Sequence, residues 1–174
     1  MSSRLLIQSA PFEVRAALQE EGRLAEVFVE YPRHPELTGT IYLGRVLKVV
    51  PGLAAAFVDI GSARPAYLPL EETPGGEALR PGAEILVQVA RTPRGEKGAR
   101  LTAQLSLPGA YLVYLPTVSH LALSRRLTDD RERARLETVL THLRPPRGGL
   151  IARLAAQGQP AAVLAQERDR LLAQ

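Results

Sequence analysis

The feature that most constrains this chain is the punctuation of its middle third. Proline and glycine interrupt it so often that no run is long enough for a helix of ordinary length. Thr40 to Val50 is long and β-branched and closes at Pro51-Gly52. Ala54 to Ile60 follows and stops at Gly61-Ser62, and Ala66 to Leu70 is a third short run. Pro74-Gly75-Gly76 makes a loop, and Pro81-Gly82 turns into Glu84–Ala90. There Ile85, Val87 and Val89 alternate on one face. A polar loop, Thr92 to Gly98, precedes the last run, Arg100 to Leu107.

Five strands within residues 36–107 suggest a small barrel, and the OB-fold is the commonest five-stranded barrel of that size. The flanks differ from it. Before residue 36, Leu5-Leu6-Ile7 and Leu24 to Glu30 read as strands around a Glu21-Gly22 turn, with Glu13 to Gln19 open between helix and strand. Pro32 and Pro35 mark a boundary. After residue 107, Tyr111 to Leu115 is a candidate strand. Asp129 can cap a helix running to about Leu143, with Glu132 completing a capping-box-like pair. Leu136, Val139, Leu140 and Leu143 share one face of that helix. Gly149–Ala152 reads as a strand, and Pro160 opens a second helix carrying Val163, Leu164, Leu171 and Leu172. That helix reaches Gln174 without a stop signal, which suggests a chain cut from something longer.

Composition excludes several classes. The 174 residues contain no Cys, which removes disulfide frameworks, Cys-type zinc sites and thiol nucleophiles. No run of about 18 apolar residues and no signal peptide occur, so the reading is a soluble cytoplasmic protein. No metal-ligand spacing joins His34, His120 and His142. The acidic pairs Glu20-Glu21, Glu71-Glu72 and Asp129-Asp130 point apart in strand or helix, so no convergent carboxylates assemble for a magnesium site.

Of the 22 basic residues all but Lys48 and Lys97 are Arg. Residues 1–35 carry 4 basic and 5 acidic groups, 36–107 carry 8 and 7, and 108–174 carry 10 and 6. The net charge of +4 therefore equals the surplus of the last third. Base composition of the genome accounts for an Arg preference. Phosphate binding is the sharper alternative, since guanidinium forks grip phosphate oxygens bidentately, and position along the chain decides between the two. A barrel that binds single strands needs exposed aromatics for base stacking and cations along the backbone path. Phe57 and Tyr67 fall on neighbouring strands, and Lys97 sits in a Gly-flanked loop between Arg94 and Arg100. The competing reading places both rings in the barrel core and leaves the loop a solvated hairpin.

These residues lie in an ordered set of motifs. Ile41-Tyr42-Leu43-Gly44-Arg45-Val46, Ala54 to Gly61 and Tyr67-Leu68-Pro69-Leu70 come first. Gly95 to Thr102, Leu107 to Val113, Ser124-Arg125-Arg126 and Gly148 to Arg153 follow. The set closely resembles the N-terminal part of the ribonuclease E/G family and covers essentially the whole chain.

The resemblance implies an α+β chain in which a five-stranded OB-type barrel, residues 36–107, is inserted into an RNase H-like α/β domain. That domain would be built from residues 1–35 and 108–174 and would be incomplete at its C-terminus. It implies that Phe57, Tyr67 (where Phe is usual) and Lys97 contact RNA, with Arg125 and Arg126 as further phosphate contacts. A 5′-phosphate sensor pocket would involve Gly109, Val113 and Arg153. The family pairs that Arg with Thr, and Leu154 stands in its place. A Thr hydroxyl donates to a phosphate oxygen and Leu cannot, a loss of about 1.5–3 kcal/mol for a charge-assisted bond.

The family's hydrolysis uses magnesium held by Asp residues of a later domain, followed in many members by a Cys-containing zinc link. This chain has neither, so the expectation is binding of single-stranded RNA without cleavage, with no catalytic residue, metal or cofactor in the chain itself. Mg2+ is expected for the parent enzyme, and any homo-oligomer would form through the missing domains. Two other readings remain open at this stage. One is a free-standing RNA-binding protein, and the other is a protein–protein scaffold whose barrel aromatics pack inward.

Overall fold

The computed structural model describes residues 3–31, 37–73, 79–93 and 97–174. The Pro32 and Pro35 boundary, His34, the Pro74-Gly75-Gly76 loop, and Arg94, Gly95 and Glu96 lie outside the described residues. The chain divides into two units, Met1–Leu37 and Thr38–Gln174.

In the first unit, a two-residue turn decides the pairing. Glu21 and Gly22 both take positive φ, +49° and +79°. This is the primed turn whose twist matches that of the flanking strands. It joins β2 (Glu13–Glu20) to β3 (Arg23–Glu30), and β1 (Ser3–Ala10) pairs antiparallel with the other side of β2. The ambiguous Glu13–Gln19 segment is thus a central strand. Backbone pairing on both sides overrides its helix-compatible composition.

The second unit begins with the barrel. β4 (Ile41–Val50), β5 (Ala55–Asp59), β6 (Ala66–Pro69), β7 (Glu84–Arg91) and β8 (Arg100–Thr102) close in the order β4-β5-β6-β8-β7. β6 and β8 run parallel, while β4 pairs with both β5 and β7. This is an OB-type barrel in an α+β chain, as the strand count predicts. Its interior is filled by Val46, Ala56, Val58, Leu68, Val87, Val89 and Leu101, all essentially inaccessible to solvent. The last strand is shorter than the Arg100–Leu107 run. The Thr102 hydroxyl accepts from the amide of Gln104 and turns the chain.

Gln88 is the one buried polar side chain of the described residues. Its Nε2 donates to the carbonyls of Gly39 and Ser106, each at 2.9 Å. Its Oε1 accepts from the Ser106 amide at 2.9 Å and the Ser106 hydroxyl at 3.2 Å. One amide from the middle of β7 therefore ties together the chain entering the barrel and the chain leaving it.

Beyond the barrel, a four-stranded sheet has the order β11-β12-β10-β9. Its strands are β9 (Leu107–Pro108), β10 (Leu112–Leu115), β11 (Leu121–Leu123) and β12 (Gly149–Ala152). Helices α1 (Asp130–His142) and α2 (Ala161–Leu172) bury Leu136, Leu140, Leu164 and Leu171 with Leu112 and Leu150. β9 and β11 carry no sequence signal of their own: two and three residues are too few to show a period.

Asp129 caps α1 through the amides of Arg131 and Glu132. The reciprocal half of the expected capping box is absent. Glu132 instead takes a two-pronged bond from Arg135 (2.8 and 2.7 Å) and accepts from the Gly158 amide at 2.8 Å. Those bonds, Arg135 first and Gly158 second, pull the Glu132 carboxyl from 4.5 to about 2.

Replacing Gln88 by Ala should lower stability by about 2–4 kcal/mol, because it removes the hydrogen bonds to Gly39 and Ser106 and opens a cavity at a buried position. The urea midpoint measures it. Because Glu132 has a depressed pKa when folded, its stabilisation is complete above pH 4.5 and is lost as pH falls towards 2. Glu132→Gln should therefore flatten the acid limb of a stability–pH profile over that range.

Candidate nucleic-acid interface

Register places four side chains in one line across the outside of the barrel. Lys48 on β4 is directly opposite Phe57 on β5, Phe57 is opposite Tyr67 on β6, and Tyr67 is opposite Arg100 on β8. Directly opposed residues point to the same face of a sheet. The alternate positions Ala56, Val58, Leu68 and Leu101 are buried, so this line faces outward. The two rings are half-buried and meet edge to face, with centroids 6.2 Å apart and planes at 76°. The reading that packs them into the barrel core is thereby corrected: small and aliphatic neighbours fill the interior, and the rings form a surface platform.

Lys97 is exposed and lines the same open depression, of about 1180 Å³, as Phe57, Tyr67, Arg64 and Arg100. The glycine after Lys97 has a packing reason. A Cβ on Gly98 would run into the carbonyl of Pro65, so only glycine lets the loop lie against β6 and bring Lys97 to the rings. The cations of the depression are not equivalent. Arg100 donates to Glu72 at 2.7 Å, and that bond holds its guanidinium above its ordinary pKa.

The second group of predicted residues lies on the C-terminal sheet. Arg153 follows β12, its amide donating to the Tyr111 carbonyl and its Nη1 to the Gly109 carbonyl. Val113 stands opposite Ile151, on the sheet face away from buried Leu112 and Ala152. Ile151, Arg153, Leu154, Ser124 and Arg126 line a shallow depression of about 510 Å³. Arg125 and Arg126 are exposed in the turn after β11. Leu154 is 43% exposed there and offers the depression methyl groups and no side-chain hydrogen-bond donor.

Sequence reasoning missed Glu167. From α2 its carboxylate accepts the amides of Ala110, Tyr111 and Leu112 at 2.7, 2.8 and 2.7 Å. Three successive amides converging on one anion make a backbone nest. Gly109 is a glycine for the same reason, since a Cβ there would stand 2.7 Å from the Glu167 carboxyl carbon. A glutamate in a helix carries no sequence signal for such a contact.

An OB-type barrel with an outward aromatic pair beside cations combines the parts that single-strand-binding barrels use, rings for stacking and charges for a backbone path. The chain belongs to the ribonuclease E/G family. The model of that family matches residues 106–174. Ribonuclease G of Escherichia coli strain K12 is 38% identical over 96% of this chain and 38% of its own length. Ribonuclease G of Haemophilus influenzae is 37% identical over the same shares. Ribonuclease E of Escherichia coli strain K12 is 36% identical over 94% of this chain and 17% of its own length. The chain thus spans well under half the length of the relatives it matches.

Removing the Glu167 carboxylate with Glu167→Ala should cost about 1.5–3 kcal/mol, the worth of hydrogen bonds to a charged group. Gly109→Ala should be destabilising in the native background and close to neutral when combined with Glu167→Ala. The clash and the lost bonds share one partner, and a double-mutant cycle measures that coupling.

Proposed function

We propose that this chain is the single-stranded RNA recognition portion of a ribonuclease E/G-type endoribonuclease that processes and degrades RNA in the cytoplasm. The observation that carries this reading is the Phe57–Tyr67 platform with Lys97 in the same depression of an OB-type barrel. Bases stack on such rings with little regard to sequence, while cations follow the phosphates. Residues 1–35 and 108–174 are read as one RNase H-like domain around the barrel, with Arg125 and Arg126 as further phosphate contacts. Gly109, Val113 and Arg153 are read as the remains of a 5′-phosphate pocket, weakened by Leu154.

Among the described residues no three His, Asp or Glu side chains lie close enough to hold a metal ion, and no helix is long and apolar enough to cross a membrane. No step of hydrolysis is assigned to these residues. Magnesium would belong to carboxylates of the parent outside this sequence.

Phe57→Ala and Tyr67→Ala should each weaken binding of a fluorescent oligouridylate by about 1–3 kcal/mol, with the thermal midpoint nearly unchanged. Equal binding by wild type and both variants in fluorescence anisotropy would refute the platform. Leu154→Thr should raise the preference for a 5′-monophosphorylated over a 5′-hydroxyl oligoribonucleotide. A strong preference already present in the wild type would show that Leu154 does not impair sensing.

A further inference from the structure

We propose that Lys48 is an RNA-contacting residue of the barrel site, and that the Lys48–Phe57–Tyr67–Arg100 row forms a single nucleotide subsite with one charged and one neutralised end. The proposal rests on the RNA-binding reading above.

Lys48 reaches the row through an irregularity in β4. The β4–β5 register shifts between Val46 and Lys48, so Leu47 is the extra residue of a β-bulge. Without that shift the strict alternation of the strand would turn residue 48 to the same side as buried Val46. With it, Lys48 stands opposite Phe57, and its ammonium lies over the ring, 4.9 Å from the centroid. Bulges re-aim a side chain in this way, and they recur beside functional sites.

The chemistry of the two ends differs. At the β8 end Arg100 is joined to Glu72, so its charge is largely compensated where a phosphate would approach. At the β4 end the ammonium of Lys48 is directed onto an aromatic face rather than onto a carboxylate. A base that stacks on Phe57 arrives beside this ammonium. The flexible four-carbon stem then lets the charge pass from the ring to the phosphate of the stacked nucleotide. The row therefore supplies a stacking platform and one effective phosphate contact, both at the Lys48 side.

Salt dependence tests this, because each phosphate contact to a single strand contributes about 0.7 to the slope of log K against log salt. Affinity of the whole chain for oligouridylate is measured across a salt series for wild type, Lys48→Gln, Lys48→Arg, Phe57→Ala and the double variant Arg100→Gln with Glu72→Gln. The expected result is a slope shallower by about 0.7 for Lys48→Gln alone. Lys48→Arg and the charge-neutral double variant should keep the wild-type slope, and Phe57→Ala should lose affinity at unchanged slope. A Lys48→Gln variant indistinguishable from wild type overturns the role of Lys48 and leaves the barrel reading standing. A slope loss in the double variant equal to that in Lys48→Gln overturns the one-sided subsite. A wild type that does not bind oligouridylate overturns both readings together.

Discussion

The Gln88 amide is the interaction on which the second unit depends. A closed barrel inserted in a chain must hold its entrance and exit strands near one another, and both ends here carry backbone groups that need partners. Gln88 answers the Gly39 carbonyl with one N–H and Ser106 with the rest of its amide. A buried amide with every group matched is strongly directional, whereas an apolar side chain of the same size would fill the space without setting the register. With the ends tied, β4 can pair with β5 on one side and β7 on the other, and the barrel closes.

Closure in turn produces the surface that faces RNA in the proposed reading. Phe57 and Tyr67 are ordinary strand residues taken singly. They become a platform because β5 and β6 pair with these two positions directly opposed. Lys48 joins them through a bulge, and Arg100 joins through the parallel β6–β8 pairing that only the closed barrel contains. The C-terminal sheet uses the same device as Gln88 in another form. Glu167 gathers three amides and leaves room for itself only because residue 109 lacks a side chain.

Much of the fold was legible in the residues. Pro and Gly marked the barrel strands to within a few positions, and alternation in β7 identified Val87 and Val89 as interior. Asp129 announced the start of α1, and the leucine spacing announced its buried face. Errors fell where local signals are weak. The run from Arg100 broke after Thr102 because a hydroxyl-capped turn intervened, and Glu132 left its own helix end for Arg135 and Gly158. In the proposed site, Phe57, Tyr67 and Lys97 could be picked out as an aromatic pair and a Gly-flanked cation. Lys48 and Glu167 could not, because neither has a neighbour in sequence that hints at its partner.

By itself the sequence determined the strand-and-turn grammar, the leucine cores of both helices, the absence of cysteine chemistry and the ordered motifs of the ribonuclease E/G family. These are properties of composition and short-range spacing, which backbone sterics and hydrophobic periodicity translate directly into local structure. The tertiary structure decided which side chains share a surface. A one-residue bulge turns Lys48 outward beside Phe57, a parallel strand pair brings Arg100 to Tyr67, and a helix carries Glu167 to amides 55–57 residues away in sequence. Register and long-range polar contacts arise only when the chain closes on itself, so no window of sequence contains them.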